Sequence, residues 1–181
     1  MLQEVYDFCM KKKGQVWVET VTYTLIAFVM IGLVLSFAKP KIEELQDKAI
    51  IDQSIKMIKD IDSVLQDVGE GAIGNKRKVE ISLKKGSLEV SPPNNTFIFE
   101  LQGKYVYSQI GEDYKEGNLV IRTEETGKYN PVSIKSNYTK RYNLTYQNGN
   151  ERKIITKSPT PYNLFITNKG GSPRVLDIEI E

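Results

Sequence analysis

Glu19 is the one charged residue among the 22 that run from Trp17 to Ala38. An ionised carboxylate deep in hydrocarbon costs roughly 2.5 to 3.5 kcal/mol on insertion scales, so such a group is expected to have both a partner and a task. Elsewhere, residues able to do chemistry are sparse. There is no histidine, and the single cysteine, Cys9, precedes the apolar run and has no disulfide partner within the chain. This removes the side chains most used for general acid–base work, zinc ligation and thiol attack. No glycine-rich phosphate loop follows a predicted strand and no serine has a recognisable base, so neither a catalytic constellation nor a cofactor is expected. The neighbouring acids Glu112-Asp113 and Glu124-Glu125 fall in predicted loops without further ligands at metal spacing, and read as solvated charge.

Three asparagines begin N-x-T sequons: Asn94-Asn95-Thr96, Asn137-Tyr138-Thr139 and Asn143-Leu144-Thr145. In a segment outside the cell, each is a candidate for N-glycosylation. Asn94 ranks first because Pro92-Pro93 puts it in an exposed loop. Asn143 ranks last because it falls in a predicted strand.

The element that must hold Glu19 is the apolar run. As a helix its 22 residues would reach roughly 33 Å, enough to cross a bilayer core of about 30 Å. Trp17 suits the headgroup boundary, and Thr20, Thr22, Thr24 and Ser36 can bond to their own backbone carbonyls. Lys11, Lys12 and Lys13 hold the N-terminus on the cytoplasmic side, which sends everything after Lys39 outside. Three fates fit this region. One is an uncleaved anchor. Another is secretory cleavage after Ser36-Phe37-Ala38, although the apolar region is longer than the usual span of about 7 to 15 residues. The third is a cut between Gly14 and Gln15, which leaves the whole apolar helix on the product.

Lys11-Lys12-Lys13-Gly14, followed by Gln15, by Glu19 as fifth residue of the product and by an apolar stretch, resembles a type IV prepilin leader. It is most similar to the archaeal class III type that begins with glutamine. The resemblance implies that a membrane prepilin peptidase cuts after Gly14. It also implies that mature helices bundle in a filament core, served by an assembly ATPase and a platform membrane protein. Cutting there would supply the partner that Glu19 needs. The new α-ammonium of Gln15 lies four residues before Glu19, about one helical turn, so the carboxylate can pair with its own N-terminus or a neighbouring subunit's. It would also complement the helix dipole. Glu19 is thereby expected to set axial register during assembly.

Beyond the span, Pro40 is compatible with a kink or a new helix start. Ile51, Ile55, Ile58, Ile61, Leu65 and Val68 recur at helical spacing, with Lys56, Asp60, Asp62 and Gln66 between them, so an amphipathic helix follows. Its apolar stripe is expected to pack on the protein's own β domain or against neighbouring subunits. Gly69, Gly71 and Gly74 then end the helix and form a hinge. After Arg77 the pattern is β: residues 79–83, 97–101 and 175–180 alternate between Gly, Pro and Asn clusters. Asn148-Gly149 predicts a hairpin whose strands, 142–147 and 152–157, are antiparallel neighbours. Residues 162–167 and 174–180 are expected to close the sheet. Tyr142-Asn143-Leu144 recurs as Tyr162-Asn163-Leu164, and eight of the ten tyrosines, from Tyr105 to Tyr162, read as strand packing.

The formal charge is +2, from 25 basic and 23 acidic residues scattered along the chain, so a nucleic-acid partner is not expected. The organisation expected is a leader at residues 1–14 and a transmembrane or filament-core helix at 15–38. An amphipathic continuation at 39–68 and a glycine hinge at 69–76 lead to an extracellular head at 77–181. The fold class is α+β, a long N-terminal helix followed by an antiparallel β-sandwich-like head. The function expected is that of a structural pilin, held in the membrane and then assembled with identical or related subunits into a surface filament for attachment. The competing expectation is a monomeric, membrane-anchored surface module whose head binds a ligand.

Overall fold

The computed structural model describes the backbone of residues 2–181 and the side chains of residues 16–181. It is an α+β fold in which one helix, α1 (Leu2–Glu70), precedes two sheets dominated by antiparallel pairs. The chain divides into two compact units, residues 1–43 and 44–181.

In the first unit α1 carries the apolar run, and every side chain from residue 16 to residue 37 is exposed. The hydroxyls of Thr20, Thr22 and Thr24 donate to the carbonyls of Val16, Val18 and Thr20 at 2.9, 2.8 and 2.8 Å. Their polarity is therefore satisfied within the helix, as an apolar solvent demands. Pro40 lacks the N–H that would reach four residues back. The helix nevertheless passes through it without a break.

The second unit opens with the remainder of α1 and continues with ten strands among the described residues. They are β1 (Lys76–Ile81), β2 (Ser87–Ser91), β3 (Thr96–Gly103), β4 (Asp113–Glu116), β5 (Leu119–Thr123), β6 (Asn130–Asn137), β7 (Tyr142–Tyr146), β8 (Lys153–Thr156), β9 (Tyr162–Gly170) and β10 (Arg174–Ile180). One sheet has the order β1-β9-β10-β7, and the other β4-β5-β6-β3-β2-β8. All neighbours are antiparallel except β7 and β10, which are parallel.

Alternation decides which side chains enter the core. In β3, Phe97, Phe99 and Leu101 are buried while Glu100 between them is exposed; β6 buries Val132, Ile134 and Ser136 in the same way. The inward residues of both sheets share one core with Ile51, Ile55, Ile58, Ile61, Leu65 and Val68 of α1, none of which is more than 6% exposed. Burying each such side chain contributes roughly 1.5 to 3 kcal/mol. The predicted stripe therefore packs on the protein's own β domain, and the helix from Glu44 onward is part of the head unit.

Three local expectations need correction. The turn near Asn148 forms one residue early, with Gln147 and Asn148 both left-handed at φ 48° and 61°. Tyr146 and Gly149 exchange backbone hydrogen bonds at 2.9 and 2.8 Å, the geometry of a primed turn. The ladder then stops: β7 pairs with β10 in one sheet, whereas β8 pairs with β2 in the other. On the edge that a hairpin partner would use, the Leu144 amide donates to Asn95 Oδ1 at 2.7 Å, while the turn amides of Gln147 and Asn148 donate to the Ile178 carbonyl and the Asp177 carboxylate of β10. Second, Gly69 lies inside α1, and a Cβ there would stand 2.5 Å from the Tyr142 ring, so this glycine serves close packing. The supposed hinge is pinned: Asn168 and the segment 74–75 exchange backbone bonds at 2.8 and 2.9 Å. Third, β10 does not close its sheet but sits inside it, between β9 and β7. The repeated Tyr-Asn-Leu segments begin those two flanking strands, and of the two only β9 forms a hairpin with β10.

Candidate functional site

Two surfaces carry the residues singled out in the sequence, one in each unit. In the first unit Glu19 is exposed on α1, and no described residue forms an ion pair with it. The cleavage pair, Gly14 and Gln15, lies outside the residues whose side chains are described. Along this helix the exposed surface is largely apolar: Trp17, Phe28 and Phe37 are 69, 67 and 76% exposed. This helix is long and apolar enough to cross a membrane. A largely apolar surface of this length calls for lipid or protein around it.

The second unit holds its segment of α1 with polar contacts as well as the core. Asp47, 3% exposed, accepts the backbone N–H of Lys104 at 2.7 Å and also pairs with the ammonium of Lys85. Gly103 leaves room for it, since a Cβ at 103 would come within 2.7 Å of the carboxylate. Farther along, Asp62 accepts from Asn118 at 3.1 Å, and Asn118 also donates to Ser136 at 2.8 Å. Beside them the Tyr138 hydroxyl is buried without a hydrogen-bond partner, and burial pushes its phenol pKa up. Lys59 meets Glu116 of β4 at 2.6 Å, an exposed pair of little weight. None of these polar anchors was singled out by sequence reasoning. Asp47 left a signal, because it lies four residues before Ile51 and so on the apolar stripe, where an acid needs a partner.

The three sequons, distant in sequence, form one hydrogen-bonded surface. Asn95 accepts from the Tyr138 amide through its carbonyl at 2.8 Å and from the Leu144 amide through Oδ1 at 2.7 Å. The Thr139 hydroxyl donates to the carbonyl of Asn94 at 3.2 Å. Asn94, Asn137 and Asn143 are all exposed. Their hydroxyl partners differ. Thr96 is fully buried with Oγ1 unpartnered, Thr145 donates to the buried Asp177 at 2.6 Å, and Thr139 is exposed.

The acidic pairs are also brought together. Arg122 bridges Asp113 and Glu124, each at 3.1 Å, and these two carboxylates hold the guanidinium pKa up. Among the described residues no group of three metal-ligating side chains occurs. Comparison with protein-family models, with curated proteins and with solved structures finds no match for this chain.

Proposed function

We propose that this protein is a pilin: a subunit whose exposed helix is stored in the membrane and then packed among like helices in an extracellular filament used for attachment. The observation that carries the reading is the division of α1. Its first part is apolar and exposed over residues 16–37, and its later part is locked into the β head through the stripe from Ile51 to Val68. A helix built in this way gives each head a handle that only lipid or other helices can cover.

The lysines, Gly14, Gln15 and Glu19 supply the remaining support through their likeness to a class III leader. In this reading a prepilin peptidase cuts after Gly14, and the Gln15 ammonium and Glu19 carboxylate then satisfy each other as the helix leaves lipid. Packed helices offer surroundings as apolar as acyl chains, so the transfer carries little hydrophobic penalty. The assembly ATPase and platform protein would drive it.

The test is the N-terminal residue of protein sheared from cells. A start at Gln15 in the filament fraction supports the pilin. Protein retained in membranes and starting at Met1 makes it an anchored surface module, and a soluble product starting at Lys39 makes the apolar run a secretory signal.

A further inference from the structure

We propose that Asn137 is the glycan acceptor of the folded head and that Asn94 and Asn143 stay unmodified. The inference rests on the head lying outside the cell, and on no other part of the pilin reading. It reverses the order expected from sequence, where Asn94 ranked first.

A sequon is defined by two side chains, the asparagine amide and the hydroxyl two residues on, and a transferase must reach both. The fold treats the three pairs differently. At Asn94 the amide nitrogen donates to Ser91 Oγ at 3.3 Å, and the Thr96 hydroxyl is sealed in the interior. At Asn143 the backbone is held in β7, in register with Val175 of β10, and the Thr145 hydroxyl is engaged with Asp177. Presenting either sequon would require pulling a strand or a buried threonine out of the core.

Asn137 is the last residue of β6 and ends the ladder opposite Thr96 of β3, so the chain leaves the sheet directly after it. Its Oδ1 accepts the backbone N–H of Thr139 at 2.9 Å. Because an N–H can be accepted only by the oxygen, this bond fixes which end of the amide faces the turn and leaves Nδ2 as the other, outward group. Asn137 and Thr139 are both exposed. The acceptor nitrogen is thus presented beside the sequon hydroxyl, whose bond to the Asn94 carbonyl at 3.2 Å lies at the exposed surface and can be exchanged for a transferase contact without unfolding.

The co-reactant is a lipid-phosphate-linked oligosaccharide. Asn137 Nδ2 attacks its anomeric carbon, and a C–N bond forms as the C–O bond to phosphate breaks. The lipid phosphate leaves with the electron pair, and Nδ2 gives up one proton to a base of the transferase. The product is an N-linked glycan on the surface where the three sequons meet.

The experiment compares full-length wild type with N137Q, T139A, T139S, N94Q and N143Q, expressed in the source cell and recovered from membrane and sheared fractions. Trypsin places the three sequons on separate peptides, since Lys85, Lys135, Lys140 and Arg141 stand between or beside them. Glycopeptide mass spectrometry should find sugar on the Asn137 peptide alone. Intact mass should fall by one glycan in N137Q and T139A and stay unchanged in N94Q and N143Q. T139S should keep the glycan, because it keeps the hydroxyl. Sugar on the Asn94 or Asn143 peptide would overturn the inference by showing modification before folding, and so would a wild-type protein without any glycan. The N-terminal residue of the same samples reports separately on the pilin reading: unglycosylated protein starting at Gln15 sinks only this inference, and glycosylated protein starting at Met1 sinks only the pilin.

Discussion

The side-chain amide of Asn168 donates to the carbonyl of Val68 at 3.0 Å, across 100 residues of sequence, and to that of Gly71 at 3.1 Å. The last carbonyls of a helix have no partner within it, and here β9 supplies one. The same asparagine accepts the Gly170 amide through Oδ1 at 2.8 Å. Asn168→Ala should therefore lower head stability by about 1 to 2 kcal/mol, chiefly because the buried Gly170 amide loses its acceptor, while the Val68 and Gly71 carbonyls keep the Gly71 amide and the Arg174 guanidinium. Urea unfolding in detergent, followed by the near-ultraviolet circular dichroism of the head tyrosines, measures this. A loss below about 0.5 kcal/mol would mean that water satisfies the helix end instead.

Asp47 gives an asymmetric prediction. Removing the buried carboxylate by Asp47→Ala takes the acceptor from the Lys104 amide and should cost about 2 kcal/mol. Lys85→Ala should cost less than about 1 kcal/mol, because the lysine side chain is 45% exposed, so water can take the place of its ammonium while Asp47 keeps the Lys104 amide. Equal losses in the same unfolding assay would show that the ion pair, rather than the backbone bond, carries the site.

Gln147 occupies the left-handed region at φ 48°. A side chain with a Cβ pays roughly 1 kcal/mol there, which glycine does not, although glycine is freer in the unfolded chain. Gln147→Gly is expected to raise stability by about 0.5 kcal/mol, and Gln147→Val to lower it by about 1 kcal/mol or more. If valine were harmless in a thermal melt, the primed turn would not be formed in solution.

Burial holds the Tyr138 phenol pKa above its ordinary value of 10.0. The folded head then keeps a proton that the unfolded chain loses, so this group's stabilising contribution is complete below pH 10 and declines as pH rises beyond it. Tyr138→Phe should flatten the alkaline limb of the unfolding midpoint between about pH 10 and 11 while changing little at pH 7. An alkaline limb that is the same in both proteins would assign it to other groups.

Glu19→Gln separates processing from assembly. It removes the charge while keeping nearly the same size and polarity. N-terminal sequencing should still find Gln15, whereas filament yield in the sheared fraction should fall at least about tenfold, the equivalent of losing roughly 1.4 kcal/mol of pairing. An unchanged filament yield would end the register role of Glu19.

The helix and its two faces were legible from local periodicity. A stripe at spacings of three and four places Ile51 to Val68 on one side whatever covers it, and an apolar run with a single charge, long enough for a bilayer, needs no tertiary partner to be recognised. Alternation likewise marked 97–101 as a strand with Phe97, Phe99 and Leu101 on one face. A strand's alternation, however, states which side is buried and is silent on which neighbour takes its backbone bonds. Hence the turn at Gln147-Asn148 could be foreseen within one residue, while the departure of β7 and β8 into different sheets could not. The sequons show the same division. Their composition is a three-residue property, but the access of Thr96, Thr139 and Thr145 depends on the core, on Asp177 and on the end of β6. Local chemistry is encoded over a few residues. Pairing and burial are decided by the whole chain competing for the same hydrogen bonds and the same apolar space.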